Sequence, residues 1–274
     1  MSKKGWLGTT FETERILVLG RAAPEWSSKK RDLLICTGGV TQSLEWRRLY
    51  PILIEDINKI HSFSWVDVKV TREGLADPRP ESRKVVRERG QYLNEVGGVK
   101  DEGVRKWYME NLVRDCTEVM KANRETIGIV KPIIETFEMS EVEPAPTDDE
   151  KQTNLGLWFS HPYFNMEKWK KTYAKKNFEV RCKFKCGPKC QLDHHNMKVL
   201  DIEFFMLYRH VFAKYQDIAI TFQKMKEKLE QELASKDFYF ALGTHSSYPF
   251  VSYMIGSVIR IKKGIKATKP LEVS

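Results

Sequence analysis

The sequence predicts an α+β fold: an N-terminal mixed, strand-rich subdomain followed by a C-terminal, helix-containing subdomain with a small zinc site. Three observations predict it. The first half carries compact apolar runs of strand length, the second half carries one long helical stretch between strands, and the charge changes sign where the halves meet. Of 274 residues, 41% are apolar and 11% aromatic. That is enough for one large core or two modest ones, and it excludes a disordered tail or a disulfide miniprotein.

The elements follow in order. Glu14 to Arg21 (ERILVLGR) and Asp32 to Thr41 (DLLICTGGVT) read as strands, with Glu45 to Tyr50 a third candidate. Pro51 suits the first turn of a helix through Ile60, in which Ile54, Ile57 and Ile60 share a face. Ser64 to Thr71 alternates Trp65, Asp67 and Lys69 against Val66, Val68 and Val70, the pattern of a half-buried strand. The polar segment DPRPES, Asp77 to Ser82, reads as a loop. Val104, Trp107, Tyr108, Leu112, Val113 and Val119 have helical spacing between Asp101 and Asn123, and a strand is expected within Thr126 to Phe137. A helical region from about Val199 to Ser235 precedes strands at Phe238 to Leu242 and Phe250 to Ile261, which flank the loop GTHSSYP.

Charge places the boundary. From Glu135 to Glu150 there are seven acidic residues and no basic one, interrupted by Pro144 and Pro146. The expected division is therefore 1–140, a linker at 141–155, and 156–274. Between Glu167 and Cys190 nine Lys/Arg stand against two acids. Lys168, Lys170, Lys171, Lys175, Lys176, Arg181, Lys183 and Lys185 could neutralise phosphates, with Trp169 and Tyr173 available to stack on unpaired bases. A second basic tract contains Arg260, Lys262, Lys263 and Lys266. With a net charge of +9, these tracts point to a nucleic-acid partner, although a basic run also serves as an ordinary solvated face.

The segment RCKFKCGPKCQLDHHNM holds Cys182, Cys186, Cys190 and either His194 or His195, four donors of the kind that bind zinc tetrahedrally. Four protein ligands would close the shell, so the expected zinc is structural. His195 is the expected fourth ligand, although the x3 spacings depart from the usual CxxC knuckle. Five cysteines, an odd number, favour reduced thiols over a disulfide framework. No run approaches the roughly 18 apolar residues of a membrane span, and no signal pattern opens the chain, so a cytoplasmic location is expected.

Other candidates are weaker. Asp56, with Asp67 and Lys69 on one strand face, is a nuclease-like set that could hold magnesium and position a phosphate, but alternating charges on an exposed strand face are the better explanation. Asp201 and Glu203 read as capping and surface charges, and His245 as a turn residue. A protein-binding scaffold, its acidic linker meeting a basic partner, is a further alternative.

The segments ICTGGV, EWRRLYP, SWVDVKV, DPRPES, IGIVKP, the FKC to HNM stretch and KDFYFALGTH resemble, in content and order, an uncharacterised family of small prokaryotic proteins. The resemblance runs from about residue 14 to 262 and carries no established activity. It implies a Cys, Cys, Gly-His-x-Met pattern matched here by Cys186, Cys190, His195 and Met197, with His194 in place of the glycine. Cys182 and the Asp67-x-Lys69 pair lie outside that pattern, which leaves the fourth ligand open. A looser resemblance in size and basic character, to an archaeal accessory protein of an Argonaute-type or similar antiviral system, implies a protein partner. The resulting expectation is a non-enzymatic accessory subunit that binds nucleic acid or a protein partner in prokaryotic nucleic-acid metabolism or antiviral defence.

Overall fold

The structure, a computed structural model, describes residues 10–27, 32–87, 91–142, 177–187 and 190–270. Its strands form two seven-stranded sheets, and the α+β class holds. The first sheet comprises β1 (Glu12–Arg21), β2 (Glu25–Ser27), β3 (Asp32–Val40), β4 (Trp46–Leu53), β5 (Ser64–Thr71), β6 (Ser82–Val85) and β7 (Leu93–Gly98).

Five of these strands close into a barrel. β1 pairs antiparallel with β5 through its first half and with β3 through its second. β3 pairs with β4, β4 runs parallel to β6, and β6 returns to β5. Numbered within the barrel, the ring runs 1-2-3-5-4-1, with strands three and five parallel and a 3-10 helix (Ile54–Lys59) between three and four. That is the connectivity of the OB-type Greek-key barrel. Where β1 meets β3, a Cβ on Gly39 would collide with the Leu17 carbonyl, so the closure requires a residue without a side chain.

Period-two alternation fills this barrel. Ile16, Val18, Ile35, Leu49, Ile52, Val66, Val68 and Val70 point inward, and Ile54 and Ile60 close one end. The helix expected from Pro51 shrinks to the 3-10 turn because Ile52 and Leu53 pair with Ile35 and Leu34, which carries β4 through the proline. Tertiary pairing outweighs local preference here.

The second sheet runs β10, β11, β12, β14, β13, β9, β8, with β8 (Val113–Arg114), β9 (Ile127–Val130), β10 (Ile133–Val142), β11 (Asn177–Lys185), β12 (His195–Val199), β13 (Lys236–Thr244) and β14 (Tyr253–Lys262). The change of sheet therefore falls between Gly98 and Val113, and strands at 113–142, which the acidic stretch would assign to the N-terminal unit, pair in the second sheet. The helix expected between Asp101 and Asn123 divides into α1 (Glu102–Leu112) and α2 (Thr117–Ala122), because Val113 and Arg114 extend to pair with Ile129 and Val130. The long helical region is likewise two helices, α3 (Ile202–Tyr215) and α4 (Ile218–Ser235), broken at Gln216 in the left-handed region (φ 54°), with Asp217 capping α4. None of the helices among the described residues is long and apolar enough to cross a membrane.

Both faces of β13, an inner strand of the second sheet, are covered. Phe238, Phe240 and Leu242 of β13 join Phe204, Tyr208 and Met225 of the helices, whereas Tyr239 and Ala241 meet Leu17 and Leu19 on the outside of the barrel. A strand buried on both sides reads as a continuous apolar run, which explains FYFAL. Within this part Asp201, the α3 N-cap, ties α3 to β14: it is fully buried, with Oδ1 accepting from Glu203 N (2.6 Å) and Oδ2 from Val258 N (2.5 Å) and Ser257 Oγ (3.1 Å). Burial raises its pKa, so the carboxylate depends on these donors.

Candidate metal centre and barrel-face cleft

The metal centre is a product of strand register. β11 and β12 pair antiparallel with Phe184 opposite His195, so the turn between them returns the chain beside Cys186. Cys190 N donates to Gly187 O (3.1 Å) and brings the second thiol inward. Cys186 Sγ lies 3.1 Å and Cys190 Sγ 3.2 Å from His195 Nε2. The three donor atoms lie within 4.8 Å of one another, close to the ligand edges of about 3.6 Å in a tetrahedral zinc site with Cys and His donors.

Electrostatics agree with that geometry. Burial pushes the Cys186 thiol up to about 12 and lowers His195, so without a cation burial favours the neutral form of both groups. Zinc would supply the charge that stabilises two thiolates. Cys186, Cys190 and His195 thus form a small zinc-type structural site. His194 is exposed and takes no part, which settles the choice between the two histidines.

Cys182 does not join them. It lies on the core-facing side of β11, fully buried in the apolar cluster beneath the helices. Four residues along a strand span about 13 Å, too far for a shared tetrahedral ion. A nearer donor comes from elsewhere in the chain: Glu118 of α2, whose Oε2 accepts from Cys190 Sγ at 3.4 Å. Burial alone would raise the Glu118 pKa, but donors from Thr117, its own backbone N–H, Cys116 and Cys190 outweigh burial and hold it low.

The other candidates are dispersed. Lys168, Trp169, Lys170, Lys171, Tyr173, Lys175 and Lys176 lie outside the described residues. Arg181, Lys183 and Lys185 line the solvent side of β11, where Arg181 pairs with Glu179 (3.2 Å) and Lys183 with Glu135 (3.7 Å). Arg260 is packed over Phe204 and Phe238 and pairs with Glu232 (2.9 Å). Asp67 receives two hydrogen bonds from Arg15 (2.7 and 2.9 Å), and Asp56 is buried against Tyr92 and Lys59. Among the described residues, no group of three or more acidic, His or Cys side chains other than Cys186, Cys190 and His195 converges as metal ligands do.

A second feature was absent from the residue patterns. Outward-facing Leu34, Cys36 and Gly38 of β3 and Trp46, Arg48 and Tyr50 of β4 form one wall of a cleft of about 590 Å³. The loop after β5, Leu75 to Arg79, edges it, and β13, β14 and the turn at His245 to Ser247 stand opposite. ICTGGV, EWRRLYP, DPRPES and the end of KDFYFALGTH, remote in sequence, all contribute to this cleft. Two arginines tie its walls together. Arg48 donates to Glu81 and to Thr126 O (both 3.1 Å), and Arg79, held by Asp77, donates to Thr244 O.

The chain is an α+β protein of two parts, one containing the barrel and the other the helices and the Cys/Cys/His centre. It belongs to the family described as Domain of unknown function (DUF8757), whose model matches residues 105–272. Residues 12–111 match the model described as Domain of unknown function (DUF8758). The two matches meet where the chain passes from barrel to second sheet. No curated protein and no solved structure matches the chain.

Proposed function

We propose that the protein is a non-catalytic nucleic-acid-binding accessory subunit whose zinc-type centre is structural. One observation carries the reading: a barrel of OB connectivity presents Trp46, Arg48 and Tyr50 of β4 next to Cys36 and Gly38 of β3, beside the loop after β5. In OB barrels the face of strands two and three, with the adjoining loops, is where oligonucleotides and oligosaccharides bind. The basic composition favours the oligonucleotide. The metal centre contributes by fixing β11 to β12, two strands of the sheet that supplies the opposite wall. A role in prokaryotic nucleic-acid metabolism or defence, as the resemblance implies, would join this module to a protein partner.

The test is fluorescence anisotropy with labelled single-stranded DNA and RNA of about 15 nucleotides, a length one OB barrel can span. Saturable binding that weakens as salt rises above about 50 mM is the expected result, because backbone contacts release counterions. Absence of binding to both strands at the lowest salt would refute the reading.

A further inference from the structure

The metal centre has three donors, and a structural zinc takes four. With Cys186, Cys190 and His195 alone, the ion would keep an open position of the kind that catalytic zinc gives to water or substrate. Cys182 does not fill it, because its side chain is buried in the apolar cluster on the core-facing side of β11. A fourth donor has to come from another element.

The start of α2 rests against the turn that carries the thiols. A Cβ on Gly187 would stand 3.8 Å from Asp115 O, and the Thr117 backbone N–H is directed at Cys186 Sγ. Glu118, the second residue of this helix, is half-buried and turns its carboxylate toward the other thiol, with Oε2 3.4 Å from Cys190 Sγ. With Zn–S of about 2.3 Å and Zn–O of about 2.1 Å, the thiolate-to-carboxylate edge of a zinc tetrahedron is about 3.6 Å. The contact already has nearly that length.

The carboxylate is also held as ligating carboxylates are, by hydrogen bonds that fix its orientation. Thr117 Oγ1 donates to Oε1 (2.8 Å), and the Cys116 thiol donates to the same carboxylate. Glu118 is not within 4.8 Å of all three donors, so its outer torsions must turn inward to complete the shell.

Charge supplies the reason for that turn. Zinc displaces the two thiol protons to solvent. The Cys190–Glu118 hydrogen bond then ends and would leave a carboxylate against a thiolate, a repulsion that binding to the same cation removes. Two thiolates, one carboxylate and a neutral imidazole around Zn²⁺ leave one net negative charge. Lys121, one turn further along α2 and near enough to act on His195, offsets it.

We infer that Glu118 is the fourth protein ligand of the metal centre, closing a shell of two Cys, one His and one Glu and tying α2 to the turn between β11 and β12. The inference rests on the zinc-type centre described above and adds the ligand that makes it a closed, structural one. It also carries the centre's influence outward, because α2 leads to Thr126, whose carbonyl receives Arg48 of the barrel.

The test uses the full chain loaded with cobalt(II), whose visible spectrum reports coordination, and azide, a small anion that binds where a coordination position is open. Azide should leave the wild-type spectrum unchanged, and X-ray absorption of the zinc-loaded wild type should count two sulfurs and two nitrogen or oxygen ligands. In Glu118→Ala the position opens, and azide should shift the cobalt spectrum saturably. Glu118→Gln, which keeps the side chain's shape, should lower zinc affinity by more than about 100-fold, beyond the 10–100-fold of a residue that acts only through another ligand. The wild-type measurements decide even where a variant does not fold.

Azide binding to the wild type would show an open fourth position, and a count of three sulfurs would transfer the role to another thiol such as Cys116. Refusal of azide by a folded, cobalt-loaded Glu118→Ala would show the shell closed without Glu118. Each of these outcomes overturns the inference while the zinc centre stands. If the chain binds neither cobalt nor zinc, both fall.

Discussion

The metal centre and the cleft are built on opposite principles. Three donors within ten residues, two between the adjacent antiparallel strands β11 and β12 and one at the start of β12, make the metal centre. The cleft is assembled from segments between Gly20 and Gly256 and exists only because a barrel and a sheet approach closely. A local site needs one correct turn, while a distributed site needs the whole fold. Damage to the metal centre should therefore act on the stability of the second sheet, and damage at the cleft should act on one loop and what it binds.

The largest effect should follow loss of metal. Cys186→Ser and Cys190→Ser should abolish stoichiometric zinc and destabilise the protein by on the order of 5 kcal/mol, because metal affinity is folding free energy where the unfolded chain has no preformed site. Cys182→Ala should keep the zinc and cost only about 1–2 kcal/mol, as expected for a small buried side chain removed from a packed core. Elemental analysis and thermal melts of the three variants provide the comparison. Equal zinc loss in all three would return Cys182 to the ligand set.

The contrast also explains what could be read in advance. Strand β5 was legible because Val66, Val68 and Val70 alternate strictly with polar residues, and β13 because burial on both faces leaves an unbroken apolar run. Cys186, Cys190 and His195 were legible because ligand chemistry and short spacing suffice. Cys182 misled because a count of intervening residues takes no account of the extended chain between them. The change of sheet had no signal in the acidic stretch, which marks a change of charge, not a change of hydrogen-bonding partner. Strand β6 has only four residues, SRKV, and no apolar run, so barrel closure had no local signal. The cleft had none either: Gly20, Arg48, Asp77 and Thr244 acquire meaning only through one another.

A smaller effect is expected at the cleft loop. Asp77 accepts from Arg79 Nε (2.8 Å), Arg79 N (3.1 Å) and Ser82 Oγ (2.8 Å), and so orients the arginine that reaches Thr244 O. Asp77→Ala should cost about 1–2 kcal/mol, the usual penalty for leaving part-buried donors unmatched. Burial by itself would raise the Asp77 pKa, but the donors from Arg79 and Ser82 outweigh it and lower the value. A carboxylate with a depressed folded pKa contributes stability above its unfolded pKa, about pH 4, and loses it as pH falls through the folded value. Denaturation of wild type and Asp77→Ala should therefore converge as pH drops below about 4. A gap that stays constant into acid would assign the effect to packing instead of charge.

The smallest effect concerns Asp67, on the outer face of the barrel. The apolar side of β5 accounts for the strand, and Arg15 accounts for the carboxylate: its hydrogen bonds lower the Asp67 pKa and its charge reinforces them against a small burial penalty. Exposed ion pairs of this kind contribute little, since solvent screens them and two side chains must be ordered to form them. Asp67→Ala should shift the melting midpoint by no more than about 2 °C and leave nucleic-acid binding unchanged. The sharper measurement is cleavage, since a metal-dependent nuclease requires carboxylates that converge on an ion, whereas Asp67 is held by Arg15 and Asp56 by Tyr92 and Lys59. Repurified protein with magnesium or manganese should leave single-stranded and duplex substrates intact. Cleavage that survives repurification and disappears in both Asp67→Ala and Lys69→Ala would place chemistry on the barrel's outer face and break the division between a structural centre and a binding cleft.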